Sequence, residues 1–244
     1  MIGEREVQAY KRDGVIVVPD VLDGQILGRI RQVVAELVAG AAAVAEHTDV
    51  YDLEPGHTPA DPRVRRIKTP HKVHAVFDEA VRSPQVIAIL KALLGPGLRL
   101  HGSKLNMKSA HYGSPVEWHQ DWAFYPHTND DILACGVMLE DVDLVNGPLQ
   151  VIPGSHKGPV LSHNNKDGVF CGAIDPEDPD FHPKQAVTLT GKAGSMTVHH
   201  ARTLHGSAPN RSDRARLLLF YECLAADAWP LAGIDGRREG LLTG

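Results

Sequence analysis

The distribution of hydrophobic and polar residues divides the chain into a helical first part and a strand-rich second part. Before residue 97, apolar side chains recur three and four positions apart, which is the period of a helix with one buried face. Asp23 can cap the longest of these segments, while Ser83 and Pro84 can begin the last one and Gly95 can end it. The pattern predicts helices over residues 4–12, 26–38 and 84–94, and a buried strand over residues 14–19.

After residue 97 the apolar runs become short and are separated by Gly, Pro and Asn. Many short strands with regular turns are typical of a sandwich or barrel, and preceding helices favour packing on one side of a double-sheet jelly roll. We therefore expect a mainly β fold with flanking helices, in a single domain over residues 1–244. Its helical part would cover about 1–96 and its cupin-like jelly-roll core about 97–226. The strands of this core are predicted at residues 98–107, 134–141, 149–152, 186–189, 195–199 and 214–224.

Composition argues against several function classes. A net charge of −5, with acidic and basic residues interspersed, does not resemble the basic surface of a nucleic-acid-binding protein. The short basic run over residues 63–68 is expected to be a solvated face. No stretch reaches the ~18 apolar residues of a membrane-spanning helix. The charged N-terminus lacks the apolar core of a signal peptide, and three Cys without C-x-x-C spacing favour a reducing compartment, so we expect a cytoplasmic protein.

Candidate chemistry begins with the segment Trp118-His119-Gln120-Asp121. Side chains two apart on an extended segment point to the same side, so His119 and Asp121 can face one metal ion. With one distant His they would form the 2-His-1-carboxylate set that holds Fe(II) and leaves positions open for oxygen chemistry. The spacing alone is weak evidence, because His47 and Asp49 repeat it. His47, however, leads into a loop rich in turn-forming residues, whereas His119 follows a strand-like run.

The third ligand must come from another strand, and the region over residues 195–207 offers His199, His200 and His205. We favour His205, since Gly206 after it allows close approach and Arg216 follows farther on. If the two segments are neighbouring antiparallel strands, His205 and Arg216 face each other, and the guanidinium can bind a carboxylate beside the metal. His199 and His200 point to opposite faces of any strand. Each is expected to be an ordinary structural or solvated His, with an outer-sphere role for one of them as the alternative.

Three motifs together resemble the phytanoyl-CoA dioxygenase family of Fe(II)/2-oxoglutarate oxygenases, to which ectoine hydroxylase belongs. The motifs lie at residues 118–121, at residues 146–157, and at residues 205–210 followed by Arg216. They keep the family's order and approximate spacing over about residues 100–224, and a weaker match at residues 72–74 extends the similarity towards the N-terminus. Their joint occurrence is far more specific than the metal-ligand spacing alone.

The resemblance implies a double-stranded β-helix core that binds Fe(II) through His119, Asp121 and His205. It also implies that the cosubstrate 2-oxoglutarate is held by Arg216 and Ser207 at its distal carboxylate and contacted by Asn106 and Lys72. Such an enzyme uses O2 to hydroxylate or otherwise oxidise an unactivated C–H bond of a small-molecule metabolite, with release of succinate and CO2. Asp121 favours hydroxylation over halogenation, because the related halogenases lack this carboxylate.

Other positions give weaker indications. Lys104 stands where some relatives have Met, and Gly136 falls near a position where some have a Trp that packs on the cosubstrate. The aromatic residues Trp122, Phe124 and Tyr125 follow the metal segment directly. Lining of a substrate site and packing in the core are about equally well supported for these three residues.

Two alternatives remain open from the residues themselves. One is a cupin-like module that binds a metal or ligand without catalysis, and the other is a zinc hydrolase with the same three ligands. Arg216 favours the oxygenase, because a non-catalytic module needs no carboxylate clamp beside its metal. Ser207 lacks the Gly-x-Ser-x-Gly elbow of a hydrolase nucleophile. The long polar segment over residues 160–185 is expected to be a lid, and the expected partner is a small-molecule substrate, with no nucleic acid and no membrane.

Overall fold

The main N-terminal helices form where the sequence predicts them. The computed structural model describes residues 2–111 and 113–231, so the last part of the predicted domain lies outside the described residues. Asp23 caps the longest helix as expected, because its carboxylate accepts hydrogen bonds from the N–H groups of Gln25 and Ile26. The pattern did not predict two short helices after residue 69. The helices are α1 (Glu4–Asp13), α2 (Gly24–Gly40), α3 (Pro70–Val73), α4 (Ala75–Val81) and α5 (Pro84–Leu94).

The strand-rich part forms two antiparallel sheets that face each other. Its strands are β1 (Val15–Val18), β2 (Tyr51–Leu53), β3 (Val64–Lys68), β4 (Leu98–Lys108), β5 (Val116–His119), β6 (Ile132–Met138), β7 (Leu149–Val151), β8 (Val187–Leu189), β9 (Met196–His200), β10 (His205–Ser207) and β11 (Arg216–Ala225). The larger sheet has the order β1-β9-β6-β11-β4-β3-β2, and the smaller one has the order β5-β10-β7-β8. Two facing antiparallel sheets with helices on one side confirm the predicted jelly-roll class.

The hydrophobic core lies between the helices and the outer face of the larger sheet. Leu105 of β4 is fully buried, and so are its cross-strand neighbours Ile67 and Leu219. They belong to one cluster with side chains of α2, α4 and α5. Because successive side chains on a strand point to opposite faces, Lys104 and Asn106 on either side of Leu105 point into the space between the two sheets.

The basic run over residues 63–68 is partly solvated, as we expected, but it is also a strand. It forms β3, which pairs with β2 on one side and β4 on the other. Val64 and Ile67 are buried in the core, while Arg65 and Arg66 line the cavity between the sheets. The charged residues concealed the strand, because Arg65 is exposed and Arg66 half-buried although both line the cavity.

The expected cross-strand pairing of His205 with Arg216 is wrong. His205 lies in β10 of the smaller sheet, between β5 and β7, whereas Arg216 begins β11 of the larger sheet, between β4 and β6. The turn after residue 208 therefore carries the chain from one sheet to the other. Both residues still line the same cavity, because the two sheets enclose it.

Within the part of the chain that the structure describes, no helix combines the length and apolar character needed to cross a bilayer.

Candidate active site

Three side chains of the smaller sheet converge on one point. His119 ends β5 and pairs in register with His205 of β10, while Asp121 lies in the 3₁₀ turn that follows β5. Oδ1 of Asp121 is 3.7 Å from Nε2 of His119 and 3.9 Å from Nε2 of His205. One ligand atom from each residue lies within 4.8 Å of the others. This is the arrangement of a 2-His-1-carboxylate metal site.

Hydrogen bonds fix the two His rings for metal binding. Nδ1 of His119 bonds to the carbonyl of Glu117, and Nδ1 of His205 bonds to the carbonyl of Thr203. An N–H on Nδ1 leaves the lone pair on Nε2 for a metal. Burial lowers the pKa of both His side chains, which keeps them neutral.

Asp121 supplies the negative charge of the site. Burial alone would raise its pKa, but the charge of Lys104 and the nearby ring nitrogens of His205 and His199 hold the pKa well below its ordinary value. The carboxylate is 2% exposed, and its Oδ2 has no hydrogen-bond partner among the described residues. A buried, ionised carboxylate beside two neutral imidazoles fits a divalent cation such as Fe(II).

The same cavity contains an arginine without an acidic partner. Arg216 is 2% exposed and donates from Nε (3.1 Å) and Nη2 (2.7 Å) to the carbonyl of Gly147. Burial lowers its pKa to about 9, and no acidic side chain of the described residues offsets this cost. A buried guanidinium in this state needs an anion, and a carboxylate matches its paired N–H groups.

A second cation lies beside Arg216 that the sequence reasoning missed. Lys108 donates from Nζ to the carbonyls of Ser207 and Ala208, and burial together with the charges of Arg216 and Arg65 lowers its pKa to about 7. Lys104, Asn106 and Lys108 alternate with apolar residues along β4, and all three line the cavity. This two-residue alternation is the signal that could have identified Lys104 and Lys108 as cavity residues.

The other predicted cosubstrate residues divide into two groups. Ser207 and Asn106 line the cavity with Arg216, and Oδ1 of Asn106 accepts a hydrogen bond of 3.0 Å from Nε of Arg66. Lys72 is exposed on α3 and is not among the cavity-lining residues, so the structure does not bring it to the site. The short motif over residues 72–74 therefore matches the family in sequence, but Lys72 does not lie at the cavity.

The three aromatic residues after Asp121 have different surroundings. Trp122 and Tyr125 pack against a buried cluster near β6 and the end of β11, which is the core role. Phe124 is half exposed, and its ring meets the ring of His119 edge to face at a centroid distance of 5.7 Å. Of the three aromatic residues, Phe124 is therefore the one with a half-exposed ring in contact with His119.

The segment over residues 160–185 is anchored on the metal-bearing strand. Its Leu161, Ile174 and Phe181 are buried together with Trp118 of β5, whose ring lies 5.5 Å from that of Phe181. Its exposed tip carries Phe170, whose ring meets Phe124 at 5.2 Å. A lid role stays a prediction, and it concerns the exposed tip rather than the buried ends.

Gly136 has no room for the Trp that some relatives carry near this position. A Cβ at Gly136 would lie 2.7 Å from Cε1 of Phe220 and 2.7 Å from Oγ1 of Thr197. Phe220 faces Gly136 across β11 and β6 and lines the cavity. The aromatic ring that lines the cavity at this point therefore belongs to Phe220 of β11.

Comparison with known proteins identifies the family. A family model described as "Phytanoyl-CoA dioxygenase (PhyH)" matches residues 10–218. The chain belongs to the phytanoyl-CoA dioxygenase family. The resemblance that we drew from the three motifs is thereby confirmed.

Individual relatives and a solved structure support the same enzyme class. The chain is 40% identical over 236 residues to the "Probable alpha-ketoglutarate-dependent hypophosphite dioxygenase" of Stutzerimonas stutzeri, covering 96% of this chain and 82% of that protein. It is 28% identical over 257 residues to an ectoine dioxygenase of Bordetella parapertussis, covering 98% of this chain and 81% of that protein. A crystal structure of EctD from S. alaskensis with 2-oxoglutarate and 5-hydroxyectoine is 27% identical, with a TM-score of 0.73 over 92% of this chain and 77% of that chain.

Family membership and the metal-site geometry agree on the enzyme class. The chain is an Fe(II)- and 2-oxoglutarate-dependent oxygenase with a jelly-roll core. This outcome favours the predicted oxygenase over the non-catalytic module and the zinc hydrolase.

Proposed function

We propose that this oxygenase binds Fe(II) through His119, Asp121 and His205 and anchors 2-oxoglutarate through Arg216, in order to oxidise a small molecule. One observation carries the proposal: a single cavity contains both a facial set of metal ligands and a buried guanidinium without an acidic partner. When bound, the iron and its cosubstrates supply the oxidising chemistry, and the chain's own residues orient them and exclude water.

The residues around Arg216 support the placement of the distal carboxylate. The Ser207 side chain and the Lys108 ammonium lie at the same end of the cavity as the guanidinium. Asn106 uses Oδ1 to accept from Arg66, which leaves its N–H2 group to donate to the cosubstrate. Lys72 has no part in this proposal.

The relatives indicate the substrate class. The named relatives act on hypophosphite and on ectoine, both small molecules. Hydroxylation of a C–H bond is one outcome, and the 40% identity to the S. stutzeri protein favours oxidation of a P–H bond as the second.

Succinate formation tests the oxygenase assignment. Purified protein is supplied with Fe(II), 2-oxoglutarate and O2, and succinate is measured with and without candidate substrates. We expect His119→Ala and Asp121→Ala to abolish turnover. The matched control is His47→Ala, in the second His-x-Asp segment, which lies outside the cavity. Normal turnover in the His119 and Asp121 variants would contradict the proposal.

A further inference from the structure

The cavity holds more positive charge than the metal and cosubstrate require. The charged residues that line it are Arg65, Arg66, Lys104, Lys108 and Arg216 on the basic side, and Glu54 and Asp121 on the acidic side. In the proposed function the two charges of 2-oxoglutarate offset the two charges of Fe(II). The five basic groups of the lining then face Glu54 and Asp121, and Glu222 and Asp52 are paired with Lys104 and Arg66 from outside it. With every basic group charged, an excess of one positive charge remains, and a further anion would offset it.

Among these basic residues, Lys104 is in contact with the metal site. Its Nζ is 4.0 Å from Oδ1 of Asp121, the same oxygen that faces His119 and His205. Lys108, beside Arg216, is four residues farther along β4. Four residues of a strand span roughly 13 Å. Lys104 therefore lies at the metal end of the cavity, well separated from the carboxylate clamp.

Glu222 holds the ammonium group of Lys104 from behind. Oε1 of Glu222 is 3.0 Å from Nζ of Lys104, and the Glu222 side chain is 9% exposed and is not among the cavity-lining residues. Gly102 makes this position possible, because a Cβ there would lie 2.8 Å from Oε2 of Glu222. The ammonium group of Lys104 therefore lies between two carboxylates, that of Glu222 at 3.0 Å and that of Asp121 at 4.0 Å.

A fixed ammonium group beside a metal is a binding site for an anion. Iron at the site would neutralise Asp121, which is the acidic group closest to Lys104 on the cavity side. Lys68, its cross-strand neighbour on β3, is likewise paired with a carboxylate, that of Asp52 at 3.4 Å, but is not among the cavity-lining residues. Lys104 differs from this neighbour in lining the cavity that also contains the metal site.

We propose that Lys104 binds the oxyanion group of a small, negatively charged substrate and so places its X–H bond at the iron. This inference rests on the proposed function and names its substrate class: small oxyanions such as phosphinates and carboxylates. For hypophosphite the reaction balances as hypophosphite plus 2-oxoglutarate plus O2 giving phosphite, succinate and CO2. One oxygen atom enters the P–H bond, and the other enters succinate.

Anion binding can be measured before any turnover. The complex of protein, Fe(II) and 2-oxoglutarate is prepared without O2, and its charge-transfer absorption band reports cosubstrate binding. Hypophosphite, formate and acetate are then titrated in, with acetamide as an uncharged control. We expect the anions to perturb the band with saturation while acetamide leaves it unchanged. If none of the anions perturbs the band, or if acetamide acts equally well, the inference is overturned.

Variants at Lys104 separate substrate binding from cosubstrate binding. We expect Lys104→Met to weaken binding of the responding anion by roughly tenfold or more, because a charge-assisted hydrogen bond is lost, and to keep the 2-oxoglutarate affinity near that of the wild type. Lys104→Arg should recover part of the anion affinity. Lys68→Met is the matched control, since it removes the neighbouring charge that is paired with Asp52.

The outcomes distinguish this inference from the function on which it rests. A rise in the 2-oxoglutarate dissociation constant in Lys104→Met, with unchanged anion affinity, would show that Lys104 binds the cosubstrate and would overturn the inference. If Lys68→Met and Lys104→Met weakened anion binding equally, the loss of any nearby positive charge would explain the effect, and the inference would be overturned too. Failure of the wild type to form the charge-transfer band or any succinate would contradict the proposed function itself.

Discussion

His199 meets Asp121 on the side of the carboxylate that the other two His residues do not use. Nε2 of His199 lies 3.3 Å from Oδ2 of Asp121, whereas His119 and His205 are closest to Oδ1. His199 is 1% exposed, and its ring packs on that of His205 at 4.3 Å. This contact supports the outer-sphere role that the sequence left as an alternative, in which His199 would steady the carboxylate that we propose as an iron ligand.

Replacing His199 should weaken iron binding. In His199→Phe the N–H group beside Oδ2 is lost, so we expect the Fe(II) affinity to fall by roughly 10- to 100-fold, the usual cost of losing such a partner. His199→Gln keeps a donor and should recover part of the loss. The measurement is an Fe(II) titration at saturating 2-oxoglutarate. His200→Gln is the control, because His200 points to the opposite face and packs near Tyr10; an unchanged affinity in His199→Phe would contradict the role.

Lys108 should make 2-oxoglutarate binding depend on pH. Its pKa of about 7 means that the free enzyme loses this charge as the pH rises through neutrality. The cosubstrate carboxylate favours the charged amine, so the dissociation constant should be level below pH 6 and then rise by up to roughly tenfold per pH unit. Lys108→Met should bind more weakly but with a flatter profile. A profile in Lys108→Met as steep as that of the wild type would show that another group titrates.

The same group should stabilise the ligand-free protein at higher pH. Between pH 7 and the ordinary lysine value of 10.5, the unfolded chain keeps the Lys108 proton while the folded chain has lost it. The state that binds more protons is favoured at low pH, so this group makes the free energy of unfolding rise with pH across that window. Urea unfolding of the wild type and Lys108→Met at pH 7, 8 and 9 isolates the contribution. A smaller rise in the wild type than in the variant would have the wrong sign.

Gly136 should not tolerate a side chain unless Phe220 gives way. Gly136→Ala places a Cβ against Phe220 and Thr197, and we expect a loss of about 1–3 kcal/mol in the free energy of unfolding from overpacking. Phe220→Leu in the same background should recover part of this loss, and a double-mutant cycle gives the coupling. Gly28→Ala is the control, because no atom lies within 4 Å of its Cβ position. Additive effects of the Gly136 and Phe220 changes would contradict the packing argument.

Periodicity was sufficient to predict most of the fold. Asp23 and the stripe that follows it produced α2, and the longer strands β4 and β11 appeared at their predicted places. It failed at β3, because Arg65 and Arg66 face an interior cavity and so lack the apolar pattern of a buried strand. Short strands are also difficult to assign to a sheet. β10 has three residues, which are too few to indicate from the sequence which sheet it joins.

Site residues were predicted where chemistry restricts residue type. His119, Asp121, His205 and Arg216 meet in one cavity, and they could be picked out because few side-chain types can bind a metal or a carboxylate. Lys108 was missed because the strand was predicted to end at residue 107, one position before the lysine that continues the alternation of Lys104 and Asn106. The pairing of His205 with Arg216 was predicted wrongly, since a single sequence does not show that β10 and β11 lie in opposite sheets.

Gln120 lies between His119 and Asp121. Its hydrogen bonds connect the segment after residue 158 to the site. It is fully buried, donates from Nε2 to the carbonyls of Pro159 (3.1 Å) and Arg202 (2.8 Å), and accepts from the N–H of Leu161 (2.9 Å). Its own N–H donates to Nε2 of His163 at 2.8 Å. The residue between the ligands therefore points away from the metal and fixes the base of the predicted lid.

Gln120→Leu should loosen that base. The change removes one buried hydrogen bond, from the N–H of Leu161, and two part-buried ones, to the carbonyls of Pro159 and Arg202. A buried group left unsatisfied costs about 1–3 kcal/mol, and the part-buried ones cost less because water can reach them. We expect a lower free energy of unfolding and faster amide hydrogen exchange over residues 159–174, with Fe(II) affinity less affected than in His199→Phe. Gln185→Leu, at an exposed position beyond that stretch, is the control. If exchange over residues 159–174 stayed at the wild-type rate, the segment would be held by Trp118 and the apolar cluster alone, because that contact does not depend on Gln120.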